Sequence, residues 1–278
     1  MQRLFSALSL ALLGVSQASY ADIPAFSTPD PAIDTYVEQC LATEGVNVLP
    51  DTDVICYNAP IFPEQFIALN TLPDASRIII TSPGGNVATA RTMSGILDRR
   101  AEPITIAGQC MSACAMVILP ALEDIHIHRS AHIAVHGITM MPYNTWYGWL
   151  KGDAQASTAA RLAAQFGYDF KFMMHQTGNE QMTAHLEAHD IELGYIQSIS
   201  DRMQADADTH DCRVDAKDYW GMLDATHLTK YLGERITKME AFAQSWDDPN
   251  NKLYKDVIKP LSPQTYIFEN DYEDAICP

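Results

Sequence analysis

The sequence predicts an α/β protein built on a mostly parallel sheet, with a helical region following it, and three observations lead to that class. Short β-branched runs, Val54-Ile55-Cys56-Tyr57, Arg77-Ile78-Ile79-Ile80-Thr81 and Ile104-Thr105-Ile106-Ala107, are punctuated by Pro, Gly, Asn and Asp, as buried strands are. Between the last two, Val87, Ala90, Met93, Ile96 and Leu97 recur at three- and four-residue spacing and mark a helix ending near Arg99. Glycine turns, Gly84-Gly85 and Gly108, follow two of the strands. Strands alternating with helices imply parallel pairing, and sites in such sheets gather at the carboxyl ends of the strands.

Taken in order, residues 1–21 read as an export signal: Arg3 supplies the positive start, Leu4 to Val15 the apolar run, and Ser19-Tyr20-Ala21 the small residues of a cleavage site. The run is too short to span a bilayer, which needs about 20 apolar residues, and no later segment approaches that length. Cleavage after Ala21 leaves a periplasmic or secreted protein with no membrane span. Residues 22–50 hold Pro24, Pro29, Pro31 and Pro50 around a short helical stretch near Tyr36 to Ala42, and are expected to form an exposed lead-in.

Residues 51–153 form the expected α/β core. It takes in the strands above, a short helix over Pro63 to Leu69, and a wholly apolar helix from Ser112 to Leu119. A third pair of strands is expected at Ile125 to His128 and His132 to His136. Tyr143 to Leu150 carries Trp146, Tyr147 and Trp149, an aromatic loop better read as packing than as a flap. Residues 154–244 change to helical patterns (Ala159 to Phe166, Gln181 to Asp190, Leu193 to Ala205) that complete the domain, and 245–278 read as a surface-laid tail.

Composition narrows the function. Against 18 basic residues stand 35 acidic ones, for a net charge of −17, so no general field attracts nucleic acid or an anionic membrane. The six cysteines, Cys40, Cys56, Cys110, Cys114, Cys212 and Cys277, are an even number, as disulfide pairing in an oxidising compartment requires. Cys40 with Cys56 would close a short N-terminal loop, and Cys212 with Cys277 would tie down the tail. No Cys-x-x-Cys pair exists to favour zinc. His126, His128, His132 and His136 recur on or near strands, where alternate residues share a face, but solvent-facing histidines on an edge explain the first two as well. Neither metal nor cofactor is assigned.

Three segments carry the chemistry. Ser112 follows a strand in Gly108-Gln109-Cys110-Met111-Ser112-Ala113-Cys114-Ala115, a place where a serine is often only a helix cap. Ser82-Pro83-Gly84-Gly85 ends the neighbouring strand, and its glycines let a backbone N–H point into open space, which is how an oxyanion hole is made. His136 ends the apolar run Ile133-Ala134-Val135-His136-Gly137 and has the two-sided hydrogen bonding of a general base. Each segment by itself is ordinary; together they place a hydroxyl, an imidazole and a glycine turn at one edge of one sheet.

Ile80-Thr81-Ser82-Pro83-Gly84-Gly85-Asn86-Val87, then Gly108-Gln109-x-x-Ser112-Ala113, then Val135-His136, in this order and with these gaps, resemble the Clp protease proteolytic subunit and its relatives in the Clp/crotonase superfamily. The resemblance covers roughly residues 54 to 137, with a weaker echo at His175-Gln176-Thr177-Gly178 and at Asp218 to Gly233. It implies a spiral of ββα units, a Ser112 nucleophile and His136 as general base. Gly84, Gly85 and the Ala113 amide would surround the oxyanion. It also implies an aspartate to orient the histidine: Asp218 is preferred because Tyr219 and Trp220 can hold it, with Asp190 and Asp215 as alternatives.

The departures from the family are informative. Cys110 and Cys114 flank Ser112 where the Clp subunit has small residues, and Gly137 follows the histidine in place of glutamine and proline. With the export signal, this is similar to exported Clp-like relatives. The cysteines would bond to one another or to distant partners and so fix the serine turn, or lie buried as small hydrophobes. The reading is therefore an ATP-independent serine peptidase acting on a peptide or protein substrate, with a homo-oligomer implied by the resemblance. The alternative is an inactive regulatory or protein-binding module on the same fold. Acyl-CoA chemistry of the crotonase type is disfavoured, since no basic cluster is available for the CoA phosphates.

Overall fold

The structure, a computed structural model, describes residues 26–136, 168–198, 201 and 220–243. The expected signal, the loop at Tyr143 to Leu150, the helix at Ala159 to Phe166, Cys212, Asp215, Asp218, Cys277 and the tail lie outside these residues. The elements in order are α1 (Pro31–Leu41), β1 (Gly45–Val48), β2 (Val54–Asn58), α2 (Pro63–Thr71), β3 (Arg77–Ser82), α3 (Val87–Arg100) and β4 (Ile104–Met111). A π-helix (Cys114–Ile118) and a 3₁₀ turn (Leu119–Ala121) lead to β5 (Ile125–Ile127) and β6 (His132–His136). Then come α4 (Tyr168–Ala188), β7 (Trp220–Met222), α5 (Ala225–Leu232) and β8 (Ile236–Met239).

The fold is α/β. The sheet runs β1-β2-β3-β4-β5-β8, with β6 branching from β4 and carrying β7. Pairing is parallel except for β1 with β2 and β6 with β7. Strands β2, β3 and β4 are buried along nearly their whole length, which is why they read as continuous apolar runs. Helix α3 supplies a crossover: Asn86 caps it by accepting from the Thr89 N–H, Arg99 and Arg100 occupy its last turn, and Ala90, Met93, Ile96 and Leu97 are buried.

β4 divides its partners. Its first half pairs Ile104, Thr105 and Ile106 with β5, and its second half pairs Gln109, Cys110 and Met111 with β6. β5 and β6 are thus not a pair with one another, as the sequence led one to expect; each follows a different half of β4. The division falls at Gly108, whose φ of +55° is open to glycine and whose missing Cβ would lie 2.7 Å from both Leu41 Cδ2 and Thr81 Oγ1. There the register with β3 slips, from Ile80 opposite Ile106 to Ser82 opposite Cys110. Two hydroxyls take the amides that the ladder drops: Gly108 N–H donates to Ser130 Oγ at 3.2 Å and Gln109 N–H to Thr81 Oγ1 at 3.0 Å.

Three expectations are corrected. The lead-in is not an exposed arm, because Ile33, Val37 and Cys40 of α1 are buried with Leu49, Val54 and Ile79, and Cys40 is bonded to Cys56. Residues 154–244 are not purely helical: they add β7 beside β6 and β8 beside β5, strands of three and four residues too short to show a period. Helix α4 starts at Tyr168, well before Gln181, and its buried positions Met182, His185 and Leu186 lie towards its C-terminal end.

A buried polar network closes one side of the sheet. Glu240, after β8, accepts from His126 Nε2 at 2.8 Å, while His128 Nε2 and Arg129 Nη1 lie 2.9 and 2.8 Å from Asp34 Oδ1 of α1. Burial lowers the His126 pKa from 6.5 to about 4 against the pull of Glu240, so the ring is neutral and its Nε2–H donates to Glu240. Burial lowers His227 to about 4 in the same way. Between pH 6.5 and 4 the unfolded chain therefore binds protons that the native state refuses, and stability falls as pH falls through that window. For the His227 ring the ceiling is roughly 3 kcal/mol. Urea unfolding at pH 7, 5.5 and 4.5 is expected to show this slope, and His126→Gln is expected to reduce it; an unchanged slope would mean that the ring is not buried neutral.

Candidate active site around Ser112

Ser112 stands between β4 and the π-helix, half-buried, with φ at +53°. A left-handed conformation at a non-glycine residue costs on the order of 1–3 kcal/mol and persists only where the surroundings determine it. Here they do. The Ser112 N–H donates to Ala134 O of β6 at 2.9 Å, and its carbonyl accepts from Met116 N–H at 2.8 Å, so the residue ends a strand and opens a helical turn at once. Cys110 and Cys114 are joined by a disulfide across it, with their Cα atoms 5.1 Å apart.

The expected helix from Ser112 to Leu119 is a wider coil. Leu119 N–H reaches back to Cys114 O, and Pro120 then ends the run. Its carbonyls take side-chain donors from packed helices: Tyr195 Oη donates to Ala115 O at 2.6 Å, while Ser94 Oγ and His185 Nε2 donate to Val117 O at 3.2 and 2.9 Å. Burial lowers the His185 pKa, which keeps the ring a neutral donor. Every residue from Ala113 to Ala121 is buried. The turn carrying Ser112 is thus mounted on a rigid base.

The Gly84-Gly85 turn is pressed against that serine. A Cβ on Gly84, whose φ is +93°, would lie 2.5 Å from Met111 O, 2.6 Å from Ser112 Cβ and 3.0 Å from Ala113 N. Only the absent side chain lets the two turns meet. The Gly84 N–H donates within its own turn to Ser82 Oγ, at 3.2 Å, and Ser82 itself is buried. Gly85 bridges Ile61 in parallel: Ile61 N–H donates to Gly84 O at 2.8 Å, and Ile61 O accepts from Asn86 N–H at 2.9 Å. That pattern turns Gly85's own N–H away from Ile61, at an exposed position. Among the described residues neither Gly85 nor Ala113 has a backbone acceptor for its N–H.

His136 enters through the backbone. It ends β6 opposite Trp220, two residues beyond the Ala134 that pairs with Met111 and accepts from Ser112. Two residues are about 6.6 Å of strand. Its side chain lies outside the described residues, as do Asp218 and Asp215. Asp190 is described, exposed after the end of α4 with φ at +54°. The structure thus places Ser112, Gly84, Gly85 and Ala113 together and brings the His136 strand alongside.

Among the described side chains, His126 and His132 do not join His128 in a group that could hold a metal. His128 instead joins Asp34 and Glu240, with ligand atoms within 4.8 Å of one another. Arg129 Nη1, 2.8 Å from Asp34 Oδ1 and 3.8 Å from Glu240 Oε2, already supplies a cation there, so the group is an ion network. Two contributors went unread in the sequence. Ile61 holds Gly85 through its backbone alone, which leaves no residue-type signal, and the buried Glu240 had no periodic strand to place it.

Compared with known proteins, the chain matches no family model and no curated protein. Among solved structures it is matched to an enoyl-CoA hydratase from Mycobacterium avium subsp. paratuberculosis K-10 at 12% identity and a TM-score of 0.25. The match covers 70% of this chain and 98% of that one. A likeness at that score carries no argument, and the α/β class rests on the strand order above.

Gly84→Ala is expected to cost roughly 2–4 kcal/mol in urea unfolding, since it combines an unfavourable φ with contact against backbone. Gly95→Ala, inside α3 and 3.7 Å from the flexible end of Arg99, should leave stability unchanged or raise it by about 0.5–1 kcal/mol. Equal effects from the two substitutions would show that the turns do not touch.

Proposed function

We propose that the protein is an exported serine hydrolase that cleaves peptide bonds without ATP through an acyl-enzyme, the chemistry implied by its resemblance to the Clp proteolytic subunit. One observation carries the reading: a half-buried serine held at φ +53° directly against a side-chain-free glycine turn, at the carboxyl ends of adjacent parallel strands. Ser112 is the nucleophile. His136, on the strand to which the Ser112 amide is bonded, takes the hydroxyl proton and returns it to the leaving amine. Asp218 orients the imidazole.

Three amides serve the oxyanion. Ala113 N–H follows the nucleophile directly, Gly84 N–H lies in the turn pressed against it, and Gly85 N–H is next along the chain. The bond from Gly84 to Ser82 Oγ is at the long end of the N–H···O range, so a developing oxyanion competes for that amide on favourable terms. Export is supported by the leader-like residues 1–21 and by two disulfides. No described helix is long and apolar enough to cross a membrane. The occupant of the site is an accessible peptide or loose protein segment, and the oligomer implied by the resemblance belongs to the same proposal.

A fluorophosphonate is expected to add one adduct to the folded, oxidised chain lacking residues 1–21, mapped to Ser112 by mass spectrometry and absent from Ser112→Ala. His136→Ala is expected to slow the labelling by roughly 10²–10⁴-fold. An unlabelled native chain would remove the hydrolase and leave the protein-binding module as the better reading.

A further inference from the structure

We propose that the Cys110–Cys114 disulfide is the maturation switch of the serine site: its formation sets the turn at Ser112, so the hydrolase becomes competent only after oxidation. The inference rests on the serine-hydrolase reading and adds a condition to it. Ser112 is the middle residue of the five-residue loop that the bond closes. One anchor, Cys110, sits in the sheet between Ser82 of β3 and Ile133 of β6. The other, Cys114, opens the π-helix whose carbonyls are held by Ser94, Tyr195 and His185. A covalent link between two fixed anchors leaves the residue between them few backbone conformations. That is how a serine without glycine's freedom stays at φ +53°.

With the thiols reduced, nothing covalent opposes the relaxation of Ser112 to an ordinary right-handed φ, which would extend the helical coil by a residue and carry Oγ away from the Gly84 turn. Misplacing a nucleophile by about 1 Å is worth about 10² in rate. Cys110 and Cys114 are both fully buried, so the bond must form while the chain folds and is shielded from reductants afterwards. The step balances with a disulfide oxidant. The Cys110 thiolate attacks oxidised glutathione and expels one glutathione thiolate, and the Cys114 thiolate then displaces the second. Two protein thiols are oxidised to one disulfide and one oxidant disulfide is reduced to two thiols. The chain would thus be inert where it is made and competent where it is sent.

Cys40–Cys56 supplies an internal control, because it ties α1 to β2 and makes no part of the serine turn. Fluorophosphonate labelling rates would be measured on the wild type, Cys40→Ala/Cys56→Ala and Cys110→Ala/Cys114→Ala, each checked for native circular dichroism. The first pair is expected to label within about two-fold of wild type, and the second about 10²-fold more slowly. In parallel, reduced and unfolded wild-type chain would be refolded without oxygen in buffer already holding graded concentrations of oxidised glutathione, with Cys110–Cys114 followed by peptide mapping. Labelling is expected to rise in step with that bond, a result that also decides the matter should the double variant fail to fold. Labelling at the wild-type rate in Cys110→Ala/Cys114→Ala, or labelling complete before the bond appears, would overturn the switch and leave the hydrolase standing. An oxidised wild type that never labels would overturn the hydrolase itself and the switch with it.

Discussion

The division of β4 at Gly108 is the constraint from which the rest of the structure follows. A strand can offer its two edges to only two neighbours at any one level, and β4 keeps β3 on one edge while changing from β5 to β6 on the other. The change requires extra residues in β4, a left-handed glycine, and two hydroxyls, Thr81 and Ser130, to receive the amides left over. Its product is a second parallel neighbour at the carboxyl end of β4. The Ser112 amide is satisfied there by β6, and the serine turn is lifted out of the sheet towards the Gly84-Gly85 loop.

The candidate site is accordingly made of backbone more than of side chains. Gly84 contributes an absence, Ile61 contributes a carbonyl and an amide, and Ala113 contributes an N–H. The mounting is rigid: the π-helix behind Ser112 is buried throughout and its carbonyls are tied to α3, α4 and Tyr195. Such a site loses little free energy to reorganisation when charge develops, which is the condition under which amide donors are most effective. Polar groups elsewhere are used structurally, as in the Asp34, His126, His128, Arg129 and Glu240 network that fastens α1 and β8 to the end of β5.

How much of this was legible depended on how local each signal is. The runs at Val54, Arg77 and Ile104, the helix spacing from Val87 to Leu97 and the glycine turns could be read because each is a periodic or steric statement about neighbouring residues. The placing of Ser112 beside Gly84 was anticipated from strand order, since both follow adjacent parallel strands. The pairing of β5 and β6 was misread because adjacency in sequence was taken for adjacency in the sheet, whereas the bulge at Gly108 separates them. β7 and β8 were missed because three or four residues hold too little pattern to outweigh the helical segments around them.

The sequence by itself determined the class of fold, the chemistry-bearing residue types and the pair of cysteines around the serine, because burial and turn-making are properties of residues in short windows. Tertiary structure alone decided which halves of β4 meet which strands, that Cys110 bonds to Cys114, that Ser112 adopts a left-handed φ, and that Gly84 has no space for a side chain. Those outcomes belong to contacts between segments far apart along the chain, where geometry in three dimensions, not local preference, chooses among arrangements that the residues would otherwise permit.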